Sequence, residues 1–266
     1  MTSPSTEELQ RFTLRDRVAV VAGGSGGVGV RTCAALAAVG AKVAVIGRSE
    51  ERLAEARKAV EDAGSEALVI PGDMADKAAA DDAVQQTLDA FGRVDVLVNG
   101  IGGGAGTALY PAEEYPQAEW DRILDLNLTT ALLVSQAAAR AMISGGRGGS
   151  VLNVSSVRGQ LGIDAGYSAY VAAKGAMDAL TRQHATEWAK HGIRVNAISP
   201  TFVRTPQAAS LLAQPGFYDN LVSRIPLRRI ADPDDLVGAL LFFCSDASSF
   251  VTGQVLTLDG GLTATQ

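Results

Sequence analysis

Tyr170 and Lys174 stand four residues apart in a run, Tyr-Val-Ala-Ala-Lys, whose alanines favour a helix. That spacing stacks the two side chains on one helix face. A phenol in a model peptide gives up its proton near pH ~10. A nearby ammonium favours the phenolate and draws the value toward neutrality. A drop of about three units corresponds to about 4 kcal/mol of differential interaction. The pair therefore reads as a proton carrier with the charge that tunes it. Alone the spacing is common, so its company decides. Ser156, fourteen residues earlier, directly follows an apolar run and can donate to a carbonyl oxygen. Ser155 stands beside it as the alternative. Asn127, in the helical stretch 125–128, can hold a water or a helix carbonyl in a proton path. No metal site is expected. His184 and His191 lack a third ligand type, and Cys33 and Cys244 fall in apolar helical patterns as buried thiols. Glu113, Glu114, Glu119 and Asp121 read as a solvated helix start. Arg224, Arg228 and Arg229 read as a solvated basic face.

A second group of residues suits an anion. Gly23, Ser25, Gly27, Val28 and Gly29 lie between an apolar run and a helical pattern. Glycines there let the backbone turn tightly and approach a pyrophosphate, and the helix N-terminus supplies free N–H groups and a favourable dipole. The next apolar run ends in Gly47-Arg48-Ser49. A nicotinamide cofactor without a 2′-phosphate is usually met at that place by a carboxylate, and none is present. Arg48 offers a planar cation and Ser49 a hydroxyl, so NADP(H) is expected to be preferred, with NAD(H) as the lesser alternative.

These groups need a scaffold that gathers them. Short runs rich in Val and Ile recur at 18–22, 43–46, 67–70, 94–98, 151–154, 195–198 and 255–258. They are apolar almost throughout, as strands buried on both faces are. Helical patterns lie between them, at about 28–39, 50–63, 76–91 and 167–190. This alternation predicts an α/β fold, a single-domain doubly wound parallel sheet (Rossmann fold) with helices on both faces. Residues 1–13 are polar and read as a mobile arm, and 14–266 as the catalytic domain. The stretch 200–229 carries no strand signal and three prolines, and is expected to cover the substrate. The 266 residues are 47% hydrophobic with a net charge of −6, which argues against a nucleic-acid partner. No apolar run reaches membrane-spanning length, and the N-terminus has no leader pattern, so a reducing cytoplasm is expected.

Taken together, the segments resemble the short-chain dehydrogenase/reductase family from about residue 14 to residue 261. Gly23, Gly27 and Gly29 resemble its T-G-x-x-x-G-x-G motif, with Ala22 for the Thr. Asn127, Ser156, Tyr170 and Lys174 resemble its catalytic tetrad. Gly72-Asp73 resembles its adenine-contacting turn, and Asn99-Gly100-Ile101-Gly102 its N-N-A-G. Pro200 and Thr205 resemble its P-G-x-x-x-T segment, and Asp259-Gly260-Gly261 its closing turn. Three departures stand out: Gly100 for a second Asn, Thr201 for a Gly, and a Ser156-to-Tyr170 gap one residue longer than the family's. The family's serine ends a Ser-Ser pair, which favours Ser156. The resemblance implies a hydride passed between nicotinamide and a secondary alcohol or ketone. Ser156 would polarise the carbonyl and Tyr170 would act as acid or base. Lys174 would tune Tyr170 and hold the nicotinamide ribose, and Asn127 would support the relay. Implied cofactor contacts include Met74 and Val203. Segments 156–162 and 225–230 look like members acting on sugar acids and polyols, such as gluconate 5-dehydrogenases. Reductases of 3-oxoacyl thioesters share the framework. A regulator that binds NADP without turnover is the competing class. A homotetramer is expected.

Overall fold

The structure, a computed structural model, describes residues 6–265. Its strands are β1 (Val18–Ala22), β2 (Lys42–Gly47), β3 (Ala67–Pro71), β4 (Val96–Asn99), β5 (Gly149–Val154), β6 (Ile193–Pro200) and β7 (Val255–Leu258). They form one parallel sheet in the order β3-β2-β1-β4-β5-β6-β7. The helices are α1 (Thr6–Gln10), α2 (Gly27–Ala38), α3 (Glu50–Asp62), α4 (Lys77–Phe91), α5 (Gln117–Leu124), α6 (Thr130–Gly145), α7 (Ser168–Trp188), α8 (Ala209–Leu212), α9 (Phe217–Ser223) and α10 (Pro233–Cys244).

The continuous apolar runs are explained by the two faces of the sheet. In β1, Ala19 and Val21 face a core completed by Leu36 of α2, Leu53 of α3 and Phe243 of α10. Val20 and Ala22 face the opposite core, with Val84 of α4 and Val134 and Met142 of α6. β2 divides likewise, Val43 and Val45 on one side and Ala44 and Ile46 on the other. All of β1, and β2 after Lys42, is thus buried on both faces, with no alternation toward solvent. Cys33 and Cys244 lie in the first of these cores, and burial pushes both thiols up to about 12.

Between β1 and β4 the strand order reverses, so the loops after them diverge and open a crevice at the strands' carboxyl ends. Helix starts are chemically marked. Ser49 caps α3 through Arg52 N–H, and Asp76 caps α4 through Ala79 N–H. Asp232 and Asp235 form a capping box on α10, ahead of Pro233. Between α5 and α6 the chain makes a wide π-turn, Asp125–Thr129, where Thr130 N–H donates to Asp125 C=O.

The expected mobile arm is corrected from residue 6 onward; residues 1–5 lie outside the described residues. Thr6–Gln10 are helical, Thr13 donates to Val39 C=O at 3.1 Å, and Arg11 C=O accepts from Ala247 N–H. Leu14, fully buried, anchors the segment. The stretch after β6 has its own small core of Leu221, Ile225 and Ile230 packed with Phe202 and Phe217. Its one strand-like feature is an isolated bridge, Val203 to Ala231.

Candidate active site

The crevice is a cavity of about 640 Å³ with Ser156, Tyr170 and Lys174 in its wall. β5 delivers the two serines at its end, and α7 presents Tyr170 and Lys174 one turn apart. The serines part ways at once. Ser155 is turned inward and donates to Asp178 Oδ1 at 2.5 Å, with Lys174 C=O 3.4 Å away. Ser156 stands close enough to the Tyr170 phenol to lower its pKa, and accepts from Arg158 N–H at 3.2 Å. Of the two serines, Ser156 is therefore the one beside the reacting position.

Lys174 is buried and donates from Nζ to Val154 C=O at 2.9 Å. Burial pushes its ammonium down to about 8, with Asp178 pulling the other way. Its Nζ stands 5.7 Å from the Tyr170 ring centroid, over the ring face. The crowding of protein atoms around Tyr170 raises the phenol above its ordinary value, and this outweighs the lowering by Ser156 and Arg158. The ammonium has three donors, of which one goes to Val154 C=O.

Asn127 sits in the π-turn and is fully buried. Its amide donates to Ile123 C=O and Gly103 C=O and accepts from Gly103 N–H, all at 3.0 Å. It is a clamp between helix and loop. A Cβ placed on the intervening Gly102 would stand 2.8 Å from Asn127 Oδ1 and 3.3 Å from Lys174 Nζ, so these groups converge on one bare backbone position.

At the other end, Gly23, Gly27, Val28 and Gly29 line the cavity where α2 begins. Gly26, the N-cap of α2, offers no side chain, so the first-turn N–H groups are left for a ligand. A Cβ on Gly29 would fall 2.2 Å from Gly23 C=O, and only a bare backbone closes the loop. This cradle fits a pyrophosphate. Gly100, Gly102, Pro200, Val203 and Thr205 also line the cavity. Arg48 and Asp73 face each other across the ends of β2 and β3 at 3.7 Å, both largely exposed. Ser49 is occupied as a helix cap, Met74 is buried against Gly72, and Ser25 faces a small side pocket with Arg52.

Asn99 does not face the cavity. It shares the face of Leu97, toward α6, and donates to Ser135 and Asn153 at 2.8 Å, leaving its own buried Oδ1 without a partner. Residues absent from the sequence-based set do line it: Arg158, Ile163, Thr107, Leu211, Gln214, and Tyr167, set edge-on to Tyr170 at 6.4 Å. Tyr167 lacks a lysine four residues on and so carried no signal of its own. Arg158 had one, its place two residues after Ser156.

Comparison with known proteins agrees with this geometry. A family profile described as enoyl-(acyl carrier protein) reductase matches residues 22–263. The gluconate 5-dehydrogenase of Gluconobacter oxydans is 37% identical over 252 residues, covering 95% of this chain and 96% of that protein. A short-chain type dehydrogenase/reductase from Mycobacterium marinum superposes with a TM-score of 0.90 at 33% identity, over 97% of this chain and 100% of that one. The gluconate 5-dehydrogenase of Burkholderia cenocepacia, solved in complex with NADP and tartrate, has a TM-score of 0.90 at 33% identity, over 97% of this chain and 99% of that one.

Proposed function

The chain belongs to the short-chain dehydrogenase/reductase family and is a nicotinamide-dependent oxidoreductase of secondary alcohols and ketones; from that premise we propose how its residues divide the work. The observation that carries the proposal is the convergence of Ser156, Tyr170 and Lys174 in one cavity wall, with Lys174 Nζ 5.7 Å from the Tyr170 ring centroid. In ketone reduction, Tyr170 donates the phenolic proton to the carbonyl oxygen while Ser156 donates a second hydrogen bond to it. In alcohol oxidation the same phenol oxygen takes the hydroxyl proton. The bound cofactor accepts or supplies the hydride and, when oxidised, adds a positive charge. Lys174, fixed by Val154 C=O, holds its ammonium beside that ring and reaches the nicotinamide ribose. Asn127 keeps the 102–104 loop and the Ile123 carbonyl in place beside Lys174, and so shapes the path by which the proton leaves.

The start of α2 would hold the pyrophosphate of the cofactor, and Arg48 with the α3 start would hold the 2′-phosphate of NADP(H). NADP(H) is preferred over NAD(H); NADP is the cofactor named with the Burkholderia relative. The segment 200–229 covers the substrate, and its Phe202, Val203, Thr205, Ala208, Leu211 and Gln214 form one wall. The substrate is a polyhydroxylated compound, a sugar acid or polyol, as in the names of the gluconate and galactitol dehydrogenases among its relatives. The enzyme works in the cytoplasm as a homotetramer. The edge strand β7 carries exposed Leu256 beside the fully exposed Phe250, surface that a second copy would cover. A single-chain mass by light scattering refutes the assembly.

The test is Tyr170→Phe, followed by nicotinamide absorbance with a panel of ketones and polyols. Turnover falls at least about 10²-fold, the low end of acid–base contributions, while NADPH affinity changes little. Near-normal turnover overturns the role of Tyr170. NADPH binding in a wild type that turns over nothing leaves the regulator reading instead.

A further inference from the structure

Arg158 is built into the cavity in a way its other arginines are not. It follows Ser156 by two residues, and its backbone N–H is held by the Ser156 hydroxyl. Its side chain lines the same wall as Tyr167 and Tyr170 and is partly buried. Its one hydrogen bond from the guanidinium is Nη1 to Gly162 C=O at 3.0 Å. A guanidinium has five N–H donors in a rigid fork. Among the described residues no carboxylate lies within ion-pair distance of Arg158, whereas Arg17, Arg93, Arg204 and Arg229 each have one. Arg194 is the instructive contrast. It too is partly buried without an acid, but its fork is filled by Phe243 C=O, Ser245 C=O and the Ser248 hydroxyl.

Burial holds the Arg158 pKa below the ordinary arginine value, so the cation stands in a half-closed space without a negative partner. A carboxylate would supply one, and its two oxygens match the fork.

We infer that the substrate carries a carboxylate and that Arg158 binds it. This rests on the oxidoreductase reading above and narrows it to hydroxy or oxo acids rather than neutral polyols. Because Arg158 and Ser156 share one wall two residues apart, the carboxylate sits only a few carbon–carbon bonds from the reacting carbon. Arg158 is a specificity-determining residue; the proton and hydride transfers belong to the other groups.

The test needs no turnover. Gluconate and glucitol share one six-carbon chain and differ in a carboxylate against a hydroxymethyl group. Neither offers a ketone to NADPH. Titrated calorimetrically into the NADPH-loaded enzyme, gluconate binds on the order of 10-fold or more tighter than glucitol, the scale of a charge-assisted hydrogen bond. Arg158→Met collapses that ratio toward one, and Arg158→Lys, which keeps the charge without the fork, leaves an intermediate ratio. NADPH binding reports that each variant is folded. Equal binding of the two probes, no detectable gluconate binding, or a ratio that survives Arg158→Met overturns the inference. A wild type that never oxidises NADPH with any ketone sinks the enzymatic reading instead, and the binding ratio separates the two failures.

Discussion

Cofactor choice is open to a quantitative test at Arg48. The side chain is 69% exposed and its Nη1 lies 3.7 Å from Asp73 Oδ2. A hydrogen bond to a charged group is worth about 1.5–3 kcal/mol. Exposure places Arg48 at the lower end, since solvent screens such pairs. Arg48→Ala therefore lowers the NADP(H)-to-NAD(H) ratio of kcat/KM by about 1.5 kcal/mol, roughly 10-fold. Asp73 acts with the opposite sign. A unit charge about 6 Å from it in a water-like medium feels about 0.7 kcal/mol, so Asp73→Asn raises the same ratio about threefold per phosphate charge. The structure also says why a carboxylate cannot simply be added at the end of β2. A Cβ on Gly47 would stand 2.3 Å from Ser25 Oγ and 2.8 Å from Ser25 Cβ. Gly47→Asp alone displaces Ser25 and weakens both cofactors, whereas Gly47→Asp with Ser25→Gly inverts the preference. The assay is kcat/KM for both cofactors at one ionic strength. A wild type that favours NAD(H), or an Arg48→Ala ratio equal to wild type, refutes the reasoning.

Two further outcomes concern pH. Burial keeps the Tyr170 phenol protonated through neutrality and brings Lys174 to about 8, so kcat/KM for ketone reduction is level near neutral pH and falls above about pH 8 as Lys174 loses its proton. Alcohol oxidation, which needs the phenolate, rises only above the ordinary phenol value of 10; two profiles of the same slope would count against this assignment. Asp235, hydrogen-bonded by Arg229 and by Asp232 N–H, has its carboxyl lowered from 3.8 to about 2. A depressed acid stabilises the fold above its unfolded value and loses that effect as pH falls through the folded one. Asp235→Asn thus costs about 1 kcal/mol at pH 7, the usual worth of a helix cap, and the gap from wild type shrinks between about pH 4 and pH 2 in denaturant unfolding.

What the sequence disclosed tracks how local the physics is. The strands were legible because both faces of β1 and β2 must be apolar, and the cradle because glycines sit where a helix starts. Tyr170 and Lys174 were legible because four residues make one turn. Ser155 and Ser156 could not be told apart by adjacency, since β5 sends consecutive side chains to opposite sides. Asn99 was named by its resemblance to a family motif; its parity with Leu97, which turns it toward Ser135 and Asn153, is a three-dimensional fact. The burial of Tyr170, which raises its phenol, is invisible in a spacing. Arg158 needed the whole wall, since an unpaired cation is defined by what does not stand near it.

The wide turn at Asp125–Thr129 has a consequence for how the two helices on either side of it keep step. An α-helix advances about 100° per residue, and one extra residue in a turn sets the following helix out of phase with the preceding one by that amount. α5 presents Ile123 to Ala108 and Ala169, whereas α6 presents Val134, Ala138 and Met142 to the sheet. Deleting a single residue would restore an unbroken helix and rotate one of these stripes away from its partner. The turn is therefore a phase offset that lets one rod serve two differently angled walls, and from it Asn127 reaches back to both the 103 loop and the Ile123 carbonyl.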